Sequence, residues 1–154
     1  MKFKLLPETL FLTINLLDRY TERKQIVKLQ YQAVGGAALL IASKYEEIYP
    51  PEISDLEYCS EGAIKKDLLL KLEEDMLRTL DFNITPVTHY RLLERIHKLS
   101  NSDDLVFNLA QFLIELTIID TKTMRKSKPS LLVSSAVYLA KKILGRTEPW
   151  NSLM

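Results

Sequence analysis

Glu94 and His97 stand three residues apart, the Glu-x-x-His spacing that can ligate iron or manganese inside a helical bundle. Such a site needs a second Glu-x-x-His pair and further glutamates. The only other histidine, His89, has no glutamate three positions before it. The pair therefore reads as part of a solvated helix face, and no metal or other cofactor is expected. No Gly-rich phosphate loop and no Gly-x-Ser-x-Gly elbow is present. The basic run Lys122–Lys128 could meet a phosphate, but a solvated loop is the simpler reading. No catalytic constellation emerges, so the chain reads as a protein that acts by binding.

One polar group raises a question that its neighbours only partly answer. The stretch "IASKYEEIYPPE", Ile41 to Glu52, follows a long apolar run, yet carries Lys44, Tyr45, Glu46 and Glu47 before two prolines end it. Lys44 could pair with Glu47 at i+3, or reach into water and complement a helix dipole. These are the simpler readings from the residues alone; the other is that it is held out for another molecule.

Composition bounds these options. The chain has 154 residues, 47% hydrophobic and 27% charged, with net charge +1. That supports one sizeable core or two small ones, and gives no electrostatic reason to expect nucleic acid or a membrane surface. Cys59 is the lone cysteine, which excludes an intrachain disulfide and fits a reducing compartment. The opening "MKFKLLPETL" has too short an apolar run for a signal peptide, and no run reaches the length of a membrane span.

Helical spacing dominates, and the expected fold class is all-α. A first helix is expected from about Glu8 to Tyr20, opened by Pro7, with Leu10, Phe11, Ile14 and Leu17 as its apolar stripe. A second runs from about Lys28 to Ile48 and is stopped by Pro50–Pro51. From Ala33 to Ala42 it is apolar all round, as a surrounded helix would be, and Gly35, Gly36, Ala37 and Ala38 leave room for neighbouring backbones. A short turn or helix near Ile53–Tyr58 precedes one over Ile64–Leu80, with Ile64, Leu68, Leu72, Met76 and Leu80 on one face. "DFNITPVT" then breaks the pattern and marks the boundary between two halves. Thr88 suits an N-cap, and three more helices are expected over Tyr90–Leu99, Asp103–Asp120 and Pro129–Leu144, with Gly145 closing the last. "PSLLVSSAVYLA" repeats the texture of "QAVGGAALLIAS", which suggests an internal duplication.

The wording itself goes further. "LLIASKYEEIYPPEISDLEY" resembles the signature of the cyclin box, in the A- and B-type mitotic branch. "PETLFLTINLLDRY" resembles that box's second helix, and "KLEEDMLRTLDFNITPVTHYRLLERI" its fifth helix and the link to a second box. "LAQFLIELTIID" and "PSLLVSSAVYLA" resemble second-box helices. The resemblance implies two helical repeats, residues 1–85 and 86–154, in a regulatory subunit without catalysis of its own. Such a subunit binds and activates a cyclin-dependent Ser/Thr kinase, and the family works in nucleus and cytoplasm. It also implies that Lys44 and Glu73 hydrogen-bond main-chain groups of the kinase, with Ile41, Tyr45, Leu77, Phe82 and Ile84 lining the pocket for its regulatory helix. Kinase substrates or inhibitors are further partners that the resemblance brings in.

Some family features have no match. The first box helix and its MRAIL-type motif are expected before Met1, so Asp18 lacks the arginine it would pair with there. Lys28 and Gln32 match only what remains of the substrate-docking patch, whose aromatic and methionine members have no counterpart. The last two helices of the second repeat are also unmatched. A rival reading is a cyclin-fold module of the transcription machinery that binds DNA and protein, but it calls for a basic stripe, which the balanced charge does not favour.

Overall fold

The computed structural model describes residues 3–100, 102–120 and 127–146, which hold seven α-helices and no strand. The helices are α1 (Pro7–Arg23), α2 (Tyr31–Glu46), α3 (Ile53–Cys59), α4 (Lys66–Thr79), α5 (His89–Ser100), α6 (Asp104–Ile119) and α7 (Pro129–Ile143). No helix among these residues is long and apolar enough to cross a membrane. The basic run at Lys122–Lys128 lies mostly outside the described residues. The chain divides into two compact units, Met1–Pro86 and Val87–Met154.

In the first unit α2 lies among α1, α3 and α4. Val34, Ala37, Ala38, Leu40, Ile41 and Ala42 are all buried, which follows from a sequence that is apolar on every face. Around them Leu12, Leu16 and Tyr20 of α1, Leu56 of α3 and Leu69 and Met76 of α4 complete the core. A Cβ at Gly36 would meet Ile64 Cδ1 at 3.1 Å and Leu69 Cδ1 at 3.3 Å, so side chains, not backbones, fill that space. Gly35 faces no atom within 4 Å.

The two expected stripes hold in part: Phe11 in the first and Ile64, Met76 and Leu80 in the second are buried, and each stripe has one exposed member. On α1 the buried face runs through Thr9, Leu12, Thr13, Leu16 and Tyr20, while Leu10 is exposed. The threonines hid this face from a hydrophobic reading, yet their hydroxyls are satisfied. Thr9 donates to Glu47 Oε1 and Thr13 to the Thr9 carbonyl. On α4 the buried leucine is Leu69, and Leu68 is exposed. The second helix also starts later than its pattern, because Lys28–Gln30 form a 3₁₀ turn ahead of it.

In the second unit α5, α6 and α7 pack on one another around Leu93, Val106, Ala110, Ile114, Val133 and Val137. Thr88 Oγ1 accepts from the Arg91 amide and Asp103 from the Val106 amide, so α5 and α6 both open on side-chain caps. Gly145, at φ +66°, ends α7 with Gly145 N–H to Lys142 O and Arg146 N–H to Lys141 O, the paired bonds of a Schellman motif.

Candidate functional site

The end of α2 places Lys44 and Tyr45 one turn beyond buried Ile41, on the same face by helical periodicity. On α4, Glu73 and Leu77 likewise share a face. Lys44 Nζ donates to Glu73 Oε1 at 2.6 Å, joining the two helices across 29 residues of sequence. The lysine side chain is 47% exposed and the glutamate 13%. One of three ammonium donors is thus used, while the group stays accessible from outside. Lys44 does not turn back to Glu47. That carboxylate instead accepts from the Leu6 amide at 2.7 Å and the Thr9 hydroxyl at 2.5 Å. It supplies the cap that α1 lacks at its own N-cap residue, Leu6. In doing so it fixes the end of α2 against the start of α1.

Beyond α4 the chain turns sharply. Asp81 N–H bonds Arg78 O and Phe82 N–H bonds Leu77 O, a Schellman closure made without glycine. Asp81 and Phe82 sit at φ +53° and +54°, the left-handed region. For a bulky residue that conformation is a real outlier, costing about 1–3 kcal/mol. The cost is not offset by burial, because Phe82 is 68% exposed. Ile84 returns to the core margin, packed with Leu77 against the cluster that holds Ile41. Tyr45, Ile48 and Tyr49 are exposed beside the Lys44 helix end.

The seven sequence-selected residues therefore fall into two roles. Lys44, Tyr45 and Phe82 present polar or aromatic groups outward, with the mostly covered Glu73 carboxylate tied to Lys44 beside them. Ile41, Leu77 and Ile84 form the apolar floor behind them. Lys28 and Gln32 are both exposed, next to exposed Val27, Leu29 and Tyr31 at the 3₁₀ turn. Asp18 is exposed on α1.

The Glu94–His97 pair is not one site. Glu94 pairs with Arg91 at 3.1 Å, while His97 Nδ1 lies 2.9 Å from Ser102 Oγ and its ring lies against Phe107. Among the described residues no group of three His, Cys, Asp or Glu side chains is gathered as metal ligands would be. Sequence reasoning missed a polar seam between α1 and α4. Tyr20 O–H donates to Asp75 Oδ2 at 2.5 Å and Lys24 Nζ to both Asp75 oxygens at 2.5 and 2.7 Å. Arg23 reaches Thr79 O, and Arg19 reaches Asn83 O at 2.8 Å. Two of these acceptors are backbone carbonyls, which every residue carries, so only the Asp75 carboxylate could have signalled the seam in the sequence. The hydrogen bond from Lys24, then that from Tyr20, holds the Asp75 carboxyl below its usual range. Burial, then Asp75 itself, pushes the Tyr20 phenol well up.

A model of the cyclin N-terminal domain matches residues 1–85, and one of the cyclin C-terminal domain matches residues 85–154. The chain belongs to the cyclin family. Among curated relatives it is 40% identical over 154 residues to cyclin-B1-3 and 42% identical over 151 residues to cyclin-B2-1, both of Arabidopsis thaliana. It is 39% identical over 154 residues to the G2/mitotic-specific cyclin-2 of Antirrhinum majus. These matches cover 100%, 98% and 99% of this chain but only 37%, 35% and 35% of the relatives, so the cyclin described here spans about a third of their length. Among solved structures, a viral cyclin from herpesvirus saimiri matches with a TM-score of 0.82 and 25% identity, covering 95% of this chain and 65% of that one.

Proposed function

We propose that this cyclin is a regulatory subunit, without catalysis of its own, that binds and activates a cyclin-dependent Ser/Thr protein kinase in cell division. Lys44 and Glu73 are its backbone-gripping pair. The observation that carries this reading is their arrangement: an ammonium with two unspent donors on the end of the central helix, and the α4 carboxylate beside it. An ammonium can serve main-chain carbonyls and a carboxylate main-chain N–H groups, so the pair can hold a partner's backbone whatever its side chains are. Tyr45 and Phe82 offer apolar contact on either side, over the floor of Ile41, Leu77 and Ile84. A kinase regulatory helix held inward by this surface would complete the Lys–Glu ion pair that phosphoryl transfer requires. The two units serve as the two cyclin-box repeats, and the complex works in nucleus and cytoplasm. Exposed Lys28 and Gln32 form at most the remnant of a substrate-docking patch.

The test is the affinity of the purified chain for a cyclin-dependent kinase, with phosphorylation of a histone-type substrate as a second readout. Wild type should bind and stimulate, and Lys44→Ala and Glu73→Ala should each weaken both. Full affinity in both variants would refute the assignment of the pair.

A further inference from the structure

Phe82 is an exposed aromatic in a left-handed backbone conformation, in a turn closed by its own N–H bond to Leu77 O. What surrounds that turn is unusual. Arg23 Nη1 donates to Thr79 O, one of the carbonyls left without a helical partner at the end of α4. Its guanidinium also lies 3.6 Å from the Asp81 carboxylate. One turn back along α1, Arg19 Nη1 donates to Asn83 O at 2.8 Å. The two guanidinium groups therefore bind the chain before and after Phe82, at carbonyls four residues apart. A simple helix cap would need only the first of these bonds. The second lies past the helix and acts on the turn itself.

We propose that Arg19 and Arg23 are positioning residues which hold the Asp81–Phe82 turn in its left-handed form and so present Phe82 to the partner. The inference rests, for its partner, on the kinase-binding reading above, but the clamp is a property of the free chain. Arg19 and Arg23 touch no partner in this scheme; they act through the turn. The α1 helix then has a task besides filling the core. Its last two turns set the geometry of an outward-facing side chain in the turn that follows another helix.

The experiment combines amide hydrogen exchange on the free chain with a binding cycle. In Arg19→Gln and Arg23→Gln, exchange at the Phe82 and Asn83 amides, which bond Leu77 O and Leu80 O, should rise about fivefold, the equivalent of one ordinary hydrogen bond. Exchange at Ala37 and Ala38 in the core should stay unchanged. Arg23→Lys, which keeps the charge and can still reach a carbonyl, should restore much of the protection. Kinase affinity should also fall about fivefold in each Gln variant, and this loss should vanish when Phe82→Ala is already present. Unchanged exchange at Phe82 and Asn83 would overturn the proposal. A rise shared equally by Ala37 and Ala38 would overturn it too, since the arginines would then only stabilise the fold. So would an affinity loss of the same size with and without Phe82. If wild type binds no kinase, the proposed function fails instead, and the exchange data alone decide whether the clamp exists.

Discussion

The helices α2 and α7 share a small-and-apolar texture and end in different surroundings. In α2 the run from Ala33 to Ser43 is almost wholly removed from solvent. In α7, Leu131, Tyr138, Leu139 and Ile143 are exposed. The cause lies outside the helices. α2 is covered by α1 and α4, and further by Ile64 and by Leu56 of α3. Among the described residues α7 packs on α5 and α6. Texture sets how much burial a helix can use; the number of elements around it sets how much it gets.

That difference is open to attack, and the largest effect should come from the cores. Leu40 in α2 is 1% exposed and Leu139 in α7 is 44% exposed. Leu40→Ala should cost about 2–5 kcal/mol, by lost transfer free energy and the cavity left behind. Leu139→Ala should cost about 1 kcal/mol, because a large part of that residue stays in water and little cavity is left behind. Denaturant unfolding of both variants makes the measurement, and equal losses would abolish the contrast between the two helices.

The second effect separates binding from folding. Hydrogen bonds to charged groups contribute about 1.5–3 kcal/mol each, so Lys44→Ala and Glu73→Ala should each weaken kinase affinity about ten- to a hundredfold. Tyr138→Ala in the second unit should leave it unchanged. Lys44 is half exposed but Glu73 is mostly covered, so loss of the ion pair should cost folding about 1–3 kcal/mol, without abolishing the melting transition. Calorimetric melting of the same variants checks this, and a collapse of the melting transition would turn the pair into a structural element.

The units should also differ in their response to acid. Burial lowers the pKa of His89 in the second unit. A base whose folded pKa is depressed adds stability above its unfolded value, near 6.5, and loses it as pH falls through the folded one. Asp75 in the first unit is also depressed, chiefly by Lys24. Its contribution is present above about 3.9 and lost only below that. The second unit should therefore soften as pH falls below about 6.5, while the Tyr20–Lys24–Asp75 seam holds. Exchange of α5 amides against α4 amides across this range gives the answer, and His89→Gln should remove the first phase.

The smallest effect is expected where the sequence shows its most chemical-looking pair. Glu94→Ala and His97→Ala break contacts to Arg91 and Ser102 at the surface. They should shift stability by about 0.5 kcal/mol or less and leave kinase affinity unchanged. Binding of a transition metal at one equivalent would contradict this and reopen the enzyme question.

Much of this fold follows from local chemistry. Pro7 and Pro129 open helices, Pro50–Pro51 follow the end of another, Thr88 caps α5 and Gly145 closes α7, because proline, threonine and glycine act on the backbone within a turn of themselves. The apolar run of α2 announced a surrounded helix, and the prolines after it announced that Lys44 would stand at an edge. What sequence periodicity could not supply was orientation. The true face of α1 passes through Thr9 and Thr13, whose polarity masks a buried role until Glu47 is seen to accept the Thr9 hydrogen bond. Lys44 had Glu47 three residues away and Glu73 twenty-nine away, and took the distant one. Glu47 had already been drawn to the start of α1. The Arg19 and Arg23 bonds across α1 and α4 are of the same kind. Each is a choice among partners that are chemically equivalent in sequence and differ only in where packed helices place them, so tertiary structure alone could make it.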